Sequence, residues 1–165
     1  MIRPMTLADI PRVAEIHVFA QRTVYRGIMP DEYLFVGNNV VSRTARFTQE
    51  MEEDGRVGFV FDNGVIRGFL FLSPCKEEAG TLEMERIFVD PLMLDSGYGR
   101  ILEEFACKYA TENDYSKICL WVLDGNQGAR NFYEKTGYAQ DGAEKPSQYT
   151  TAIKQLRYTK NLIVG

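Results

Sequence analysis

The dipeptide Asn63-Gly64 joins two β-rich runs in "RVGFVFDNGVIRGFLFL", and a third run, "TLEMERIFV", follows before any helical pattern resumes. Asn and Gly both tolerate positive φ, so an Asn-Gly step between alternating apolar runs is a strong short-range hairpin signal. Three consecutive strands with no helix between them are expected to run antiparallel, because parallel neighbours need a long crossover. That rules out a strict repeat of strand and helix and leaves a mixed α/β sheet.

The flanking segments fill in the helices. "MIRPM" starts an edge strand, and Thr6 with Asp9 three residues on makes a capping-box-like start. Ile10, Val13, Ala14, His17 and Ala20 then recur at helical spacing, which predicts a first helix over about residues 7–24. "RGIMPDEYL" ends it, and a second helix is predicted from Asp31 to Met51, with weaker periodicity and a break at "GNN". From Tyr98, the residues Ile101, Leu102, Phe105, Ala106, Tyr109 and Ala110 form an apolar stripe, with Glu103, Glu104, Lys108 and Glu112 facing away. "KICLWVL" has the continuous apolar character of a buried parallel strand, and "GNQGARNFYEKTGY" predicts a short helix closed by Gly137. "GYAQDG" and "SQYTTAIKQLRYTKNL" close the chain as a strand pair or hairpin. With 165 residues and neither repeat nor linker, the chain is expected to form one domain over residues 1–165.

Composition narrows the chemistry. The net charge is −4, from 23 acidic and 19 basic residues, with no run of five like charges. That disfavours a nucleic-acid partner and favours a cationic substrate. Cys75, Cys107 and Cys119 are widely spaced and accompany one histidine, His17, so neither a zinc site nor a disulfide framework is expected, and the thiols are read as free and buried. A single histidine also argues against mechanisms that need two, and no metal is expected. His17 itself lies on the apolar stripe of the first helix and is expected to pack. No apolar stretch approaches the roughly 18 residues of a membrane span, and "MIRPMTLADI" lacks a signal-like apolar region, so the expected location is cytoplasmic.

After the third strand comes "DPLMLDSGYGRIL", in which Gly97 and Gly99 meet the start of the amphipathic helix. The first N–H groups of a helix lack carbonyl partners and the helix dipole favours negative charge there, so such a loop suits an anion. A dinucleotide fingerprint fails because its third glycine falls on Leu102, and a phosphate-binding P-loop fails because no Lys-Ser or Lys-Thr pair follows. On its own, the stretch is equally a tight turn into a helix.

In its wider setting the chain resembles the Gcn5-related N-acetyltransferase superfamily. Val89, Asp90 and Pro91, then Gly97 and Gly99, match the acetyl-CoA motif, and Asn126 with "ARNFYEKTGY" matches the second half of the signature. The resemblance covers nearly the whole chain and implies a GNAT-like acyl-CoA N-acyltransferase fold, a mostly antiparallel central sheet flanked by helices. It implies acetyl-CoA as co-substrate, with the pantetheine arm along the backbone of Ile87, Phe88 and Val89. The pyrophosphate would lie at Leu94, Asp95, Ser96, Gly97, Tyr98, Gly99 and Arg100, and Asn126 and Arg130 would add further cofactor contacts; Asn126 is equally a plain N-cap of the short helix that follows it, and the two roles can coexist. The family's Gln or Arg falls on Leu94 here, and Asp95 adds negative charge, so phosphate contacts are expected to be weaker or altered, with Arg100 placed to offset Asp95.

Acetyl transfer to an amine needs a free base, and a lysine-like amine with reference pKa of about 10.4 is almost wholly protonated at neutral pH. Members of the family place an acid four or six residues before the strand's closing valine. Those positions hold Glu85 and Glu83, of which Glu85 is the favoured base. Tyr133 is the family's candidate acid for the departing thiolate. Neither Cys107 nor Cys119 has the setting of a nucleophile, so direct attack in a ternary complex is expected, without an acyl-enzyme. The family resemblance assigns the first two helices and the last hairpin to the acceptor side, where Asp31 and Glu32 would suit a small cationic amine such as a polyamine. The alternatives are a protein or peptide amine, and a module that binds acyl-CoA without turnover. No nucleic-acid or membrane partner is expected, and a homodimer is common among such proteins.

Overall fold

The computed structural model describes residues 1–53, 55–150 and 152–162. At the start, Asp9 accepts from both the N–H and the hydroxyl of Thr6 at 2.8 Å, so the predicted capping residues do meet. They cap a short 3-10 turn, Leu7–Asp9, rather than the helix itself, and α1 spans Ile10–Val24 with Pro11 in its first turn. The predicted second helix is divided. A π-helical turn over Tyr33–Gly37 comes first, and α2 begins at Val40–Glu50 after the break foreseen at "GNN", with Asn39 accepting from the Ser42 N–H.

The described residues form two compact units, Met1–Ser73 with Met84–Ala106, and Pro74–Glu83 with the residues from Cys107 onward. In the first, β1 (Ile2–Pro4) pairs antiparallel with β2 (Val57–Asp62), and β2 pairs antiparallel with β3 (Ile66–Pro74). The predicted hairpin is present with a three-residue loop, and Gly64 sits there at φ +100°. β4 (Thr81–Val89) follows, its first three residues belonging to the second unit and the rest to the first. The apolar face of the first unit gathers Ile10, Val13, Phe47, Val60, Phe69 and Phe71, with Phe88 packed against them. His17 is inside this cluster, 1% exposed, with the rings of Phe88 and Phe47 at 4.8 and 5.1 Å. Burial, together with the charges of Arg43, Arg86 and Arg46, keeps it neutral well below its ordinary range.

In the second unit, Thr81–Glu83 of β4 pairs parallel with β5 (Lys117–Leu123). β7 (Lys154–Asn161) pairs antiparallel with β5 on one side and with β6 (Ala139–Pro146) on the other, so the closing hairpin inserts its second strand next to β5. Thr151, within the segment predicted to form that hairpin, lies outside the described residues. Among the described residues the hydrogen-bonded strand order is β1-β2-β3-β4-β5-β7-β6, seven strands and mostly antiparallel, as the sequence indicates. α4 spans Gln127–Lys135.

Helix α3, Tyr98–Glu112, departs from the predicted stripe. Leu102, Ala106 and Ala110 are buried as expected, but Glu103, read as outward-facing, is 2% exposed, and Ile101 is exposed at 41%. The buried face is centred on the 102-106-110 row, and a helix advances 100° per residue, which is enough to carry 103 inward and 101 outward. Cys119 is buried, whereas Cys75 and Cys107 are only partly covered, and none of the three is in a disulfide. No helix among the described residues is long and apolar enough to cross a membrane.

Candidate active site

The glycine loop is built on a buried anchor. Asp90, 5% exposed, accepts from the Leu92 N–H at 3.1 Å, forms an ion pair with Arg12 of α1 at 2.5 Å and lies 3.6 Å from Arg67 of β3. Its own N–H donates to the Arg67 carbonyl at 2.7 Å. Pro91–Met93 then makes one 3-10 turn, and Leu94, Asp95, Ser96 and Gly97 are all exposed. Asp95 and Gly97 both adopt left-handed backbone, with φ 64° and 80°. This conformation is nearly cost-free for glycine and tolerated by aspartate, and it re-aims the chain into α3. The Ile101 N–H closes the first turn on the Gly97 carbonyl at 3.2 Å, and the N–H groups before it have no helical carbonyl to reach. Tyr98 rests on the ring of Phe61 at 4.6 Å. Arg100 does not turn to Asp95: it pairs with Glu104 at 3.0 Å on the exposed side of the helix.

Along β4, Ile87, Phe88 and Val89 are partly buried. The Phe88 ring stacks on Phe69 at 5.8 Å, and its backbone runs beside β3. Gly68 of β3 lets that backbone come close: a Cβ there would stand 2.9 Å from the Phe88 carbonyl oxygen and 2.9 Å from Leu102 Cδ1.

Glu85 is not the solvated acid that an exposed strand face would carry. Its Oε2 accepts from Arg56 Nε at 2.8 Å, and its Oε1 accepts from Arg56 Nη2 at 3.1 Å and from the Ser73 hydroxyl at 2.6 Å. Arg86 Nη1 lies 3.5 Å from Oε2. Behind this set sits Glu50, 5% exposed, which is paired with Arg46 and Arg86. Burial works against its charge, yet Arg86, Arg46 and Arg56 together hold its carboxyl below the ordinary value. The sequence did not mark Arg56, Ser73 or Glu50. Their only common feature is spatial, since Arg56 precedes Glu85 by 29 positions.

The remaining candidates lie in the second unit. Asn126, 7% exposed, caps α4 by accepting from the Ala129 N–H at 3.2 Å. Arg130 donates to the Tyr158 hydroxyl and to the carbonyl and carboxylate of Asp124, at 3.0 to 3.1 Å. Tyr133 is 8% exposed, with the rings of Phe132 and Tyr138 at 5.3 and 5.6 Å. Glu83 stands on β4 opposite Cys119.

Known proteins share this fold. An N-acetyltransferase of Methanocaldococcus jannaschii, itself uncharacterised, is 30% identical over 84% of the chain, which spans 60% of that relative's length. A Gcn5-related N-acetyltransferase structure from Rhodopseudomonas palustris superposes with a TM-score of 0.79 at 19% identity, over 98% of this chain and 95% of the other. The PaiA N-acetyltransferase of Thermoplasma acidophilum, solved with coenzyme A, superposes with a TM-score of 0.76 at 17% identity over 98% of each chain. The acetyltransferase (GNAT) family profile matches residues 13–138, most of both halves of the fold, and the chain belongs to that family.

Proposed function

We propose that the protein transfers the acetyl group of acetyl-CoA to a primary amine, with a small cationic amine such as a polyamine as acceptor. The observation that carries this reading is the exposed loop after β4, which ends in left-handed Asp95 and Gly97 and presents the first-turn N–H groups of α3. A Cβ at Gly97 would meet nothing within 4 Å, so the loop backbone is open to a phosphate-sized ligand. Leu94 and Asp95 add no donor, and the grip rests on backbone N–H groups.

Glu85 is the proposed base and Tyr133 the proposed acid. Glu85 takes one proton from the acceptor ammonium, and the freed nitrogen pair forms the bond to the acetyl carbon. The carbon–sulfur bond then breaks with its electron pair going to sulfur. The Tyr133 hydroxyl protonates the sulfur and recovers a proton from the acylated nitrogen, so one proton in all leaves through Glu85. An acyl-enzyme on Cys119 is disfavoured: burial, with Cys75 and Glu83 adding to it, pushes that thiol well above its ordinary range and leaves almost no thiolate. The net charge of −4 and the exposed Asp31 and Glu32 favour a cationic acceptor.

The test offers spermidine, putrescine, free lysine and a peptide amino terminus with acetyl-CoA, following thiol release and product mass. Acetylated spermidine or putrescine is the expected result. Acetylation of the peptide alone overturns the acceptor assignment, and CoA binding with no product from any amine overturns transfer.

A further inference from the structure

The contacts around Glu85 reach beyond its assignment as a base. An ionised carboxylate offers about four lone-pair directions, two on each oxygen. On Oε1 both are taken, by Arg56 Nη2 at 3.1 Å and by the Ser73 hydroxyl at 2.6 Å. On Oε2 one is taken, by Arg56 Nε at 2.8 Å, and Arg86 Nη1 at 3.5 Å is an ion-pair neighbour beyond hydrogen-bonding range. Among the described residues, one direction on Oε2 has no donor. The side chain keeps 17% of its exposure, so the core does not seal it completely.

Arg56 is itself clamped. Its Nη1 donates to Glu53 at 2.7 Å and lies 3.8 Å from Glu50, so the guanidinium is held from the side away from Glu85 as well. Burial alone would ease its proton off, but the bond to Glu85 and the charges of Glu85, Glu50 and Glu53 prevail and hold the cation firmly. Arg86 meets Glu85 at one point only, through Nη1. Its Nη2 donates to Glu50 at 3.2 Å, and its guanidinium lies over the rings of Phe47 and Phe71 at 5.2 and 5.6 Å.

From this arrangement we infer that Arg56 is the positioning residue of the reaction: its two-point fork, with Ser73, fixes the Glu85 carboxylate in one orientation and leaves Oε2 as the atom that receives the acceptor's proton. The fork matters more than the charge alone, because two parallel N–H···O bonds define a plane and a single ammonium contact does not. The inference rests on Glu85 being the base.

The experiment measures steady-state kinetics of Arg56→Met, Arg56→Lys, Glu85→Gln and the double variant Arg56→Met/Glu85→Gln, with the fastest acceptor of the amine panel above. Arg56→Met is expected to lower kcat by about ten- to a hundredfold, the range of a lost positioning contact, with KM for acetyl-CoA within about twofold of wild type. Arg56→Lys should recover only part of the loss. The double variant should be no slower than Glu85→Gln, because a residue that acts through Glu85 has nothing left to orient. If Glu85→Gln is slow while Arg56→Met keeps wild-type kcat, or if the two losses multiply, the positioning role is overturned and the base assignment stands. If Glu85→Gln turns over normally, the base assignment falls and the positioning role with it. Should Arg56→Met fail to fold, Arg56→Lys and Ser73→Ala carry the same comparison, and wild-type kcat in both overturns the inference.

Discussion

Replacing Gly68 by alanine tests the close approach of β3 to the end of β4. The added Cβ would stand 2.9 Å from the Phe88 carbonyl oxygen, 2.9 Å from Leu102 Cδ1 and 3.5 Å from Val89 Cα. Comfortable contacts for a methyl carbon begin at about 3.5 Å, so the first two neighbours must each yield by roughly half an ångström. Leu102 is fully buried, and turning its tip off its rotamer costs about 0.5–1.5 kcal/mol. The Phe88 carbonyl is backbone, and next to it the bond from the Asp90 N–H to the Arg67 carbonyl at 2.7 Å resists separation of the strands. Overpacking of this kind costs about 1–3 kcal/mol, and the lower entropy of the unfolded chain returns about 0.4–1 kcal/mol. The net loss of about 1–2 kcal/mol should lower the urea midpoint by roughly 0.5–1 M. Leu102→Ala alone should cost about 2–5 kcal/mol, and the double variant should cost less than the sum of the two, because the shortened side chain no longer meets the new Cβ. A Gly68→Ala protein that unfolds at or above the wild-type midpoint would refute the idea that this approach is tight.

Two further perturbations address charge. Asp90→Asn keeps an acceptor for the Leu92 N–H but removes the charge that pairs with Arg12 and Arg67. Loss of one partner of a buried pair costs about 3–5 kcal/mol, and since Arg12 is partly exposed and keeps Glu15, denaturant titration should show a smaller loss of about 1–3 kcal/mol. The bonds from Arg3 hold the Asp9 carboxyl well below the usual carboxylate range, with Thr6 adding to them and burial opposing. Because the folded value is depressed, the stability from Asp9 is full above about pH 4 and is lost as pH falls through the folded value. Asp9→Asn should therefore lower the thermal midpoint at about pH 7, and the gap from wild type should narrow steadily below about pH 3. A gap that stays constant across that range would contradict the sign.

What could be read from the sequence was mostly local. The Asn63-Gly64 turn, the Thr6–Asp9 pair, the Asn126 cap and the break before Val40 all depend on residues within a few positions of one another, and each appears in the structure. The π-helical turn at Tyr33–Gly37 and the inward placement of Glu103 were not legible, because both depend on which face a neighbouring element covers. The same division runs through the candidate site. Gly97 and the strand before it carry a linear motif, so the loop could be expected. The setting of Glu85 is made by Arg56, Ser73 and Glu50, which no spacing rule connects. Arg130 shows what a motif position alone leaves out: it suggested a ligand contact, and the fold adds bonds from Nε and Nη1 to Tyr158 and Asp124, which lie outside the motif.

The place of β7 has a consequence for how the chain is made. "KICLWVL" is synthesised more than thirty residues before the strand that covers its second edge, and residues Lys117 to Leu123 all await partners from Gln155 to Asn161. Until then, β5 presents an apolar strand with an open row of N–H and C=O groups, the kind of edge that recruits other chains. Slow or interrupted synthesis between Asp124 and Lys154 should therefore expose the nascent protein to self-association, and Lys117, at the strand's entry, is the one charge in that stretch positioned to discourage it.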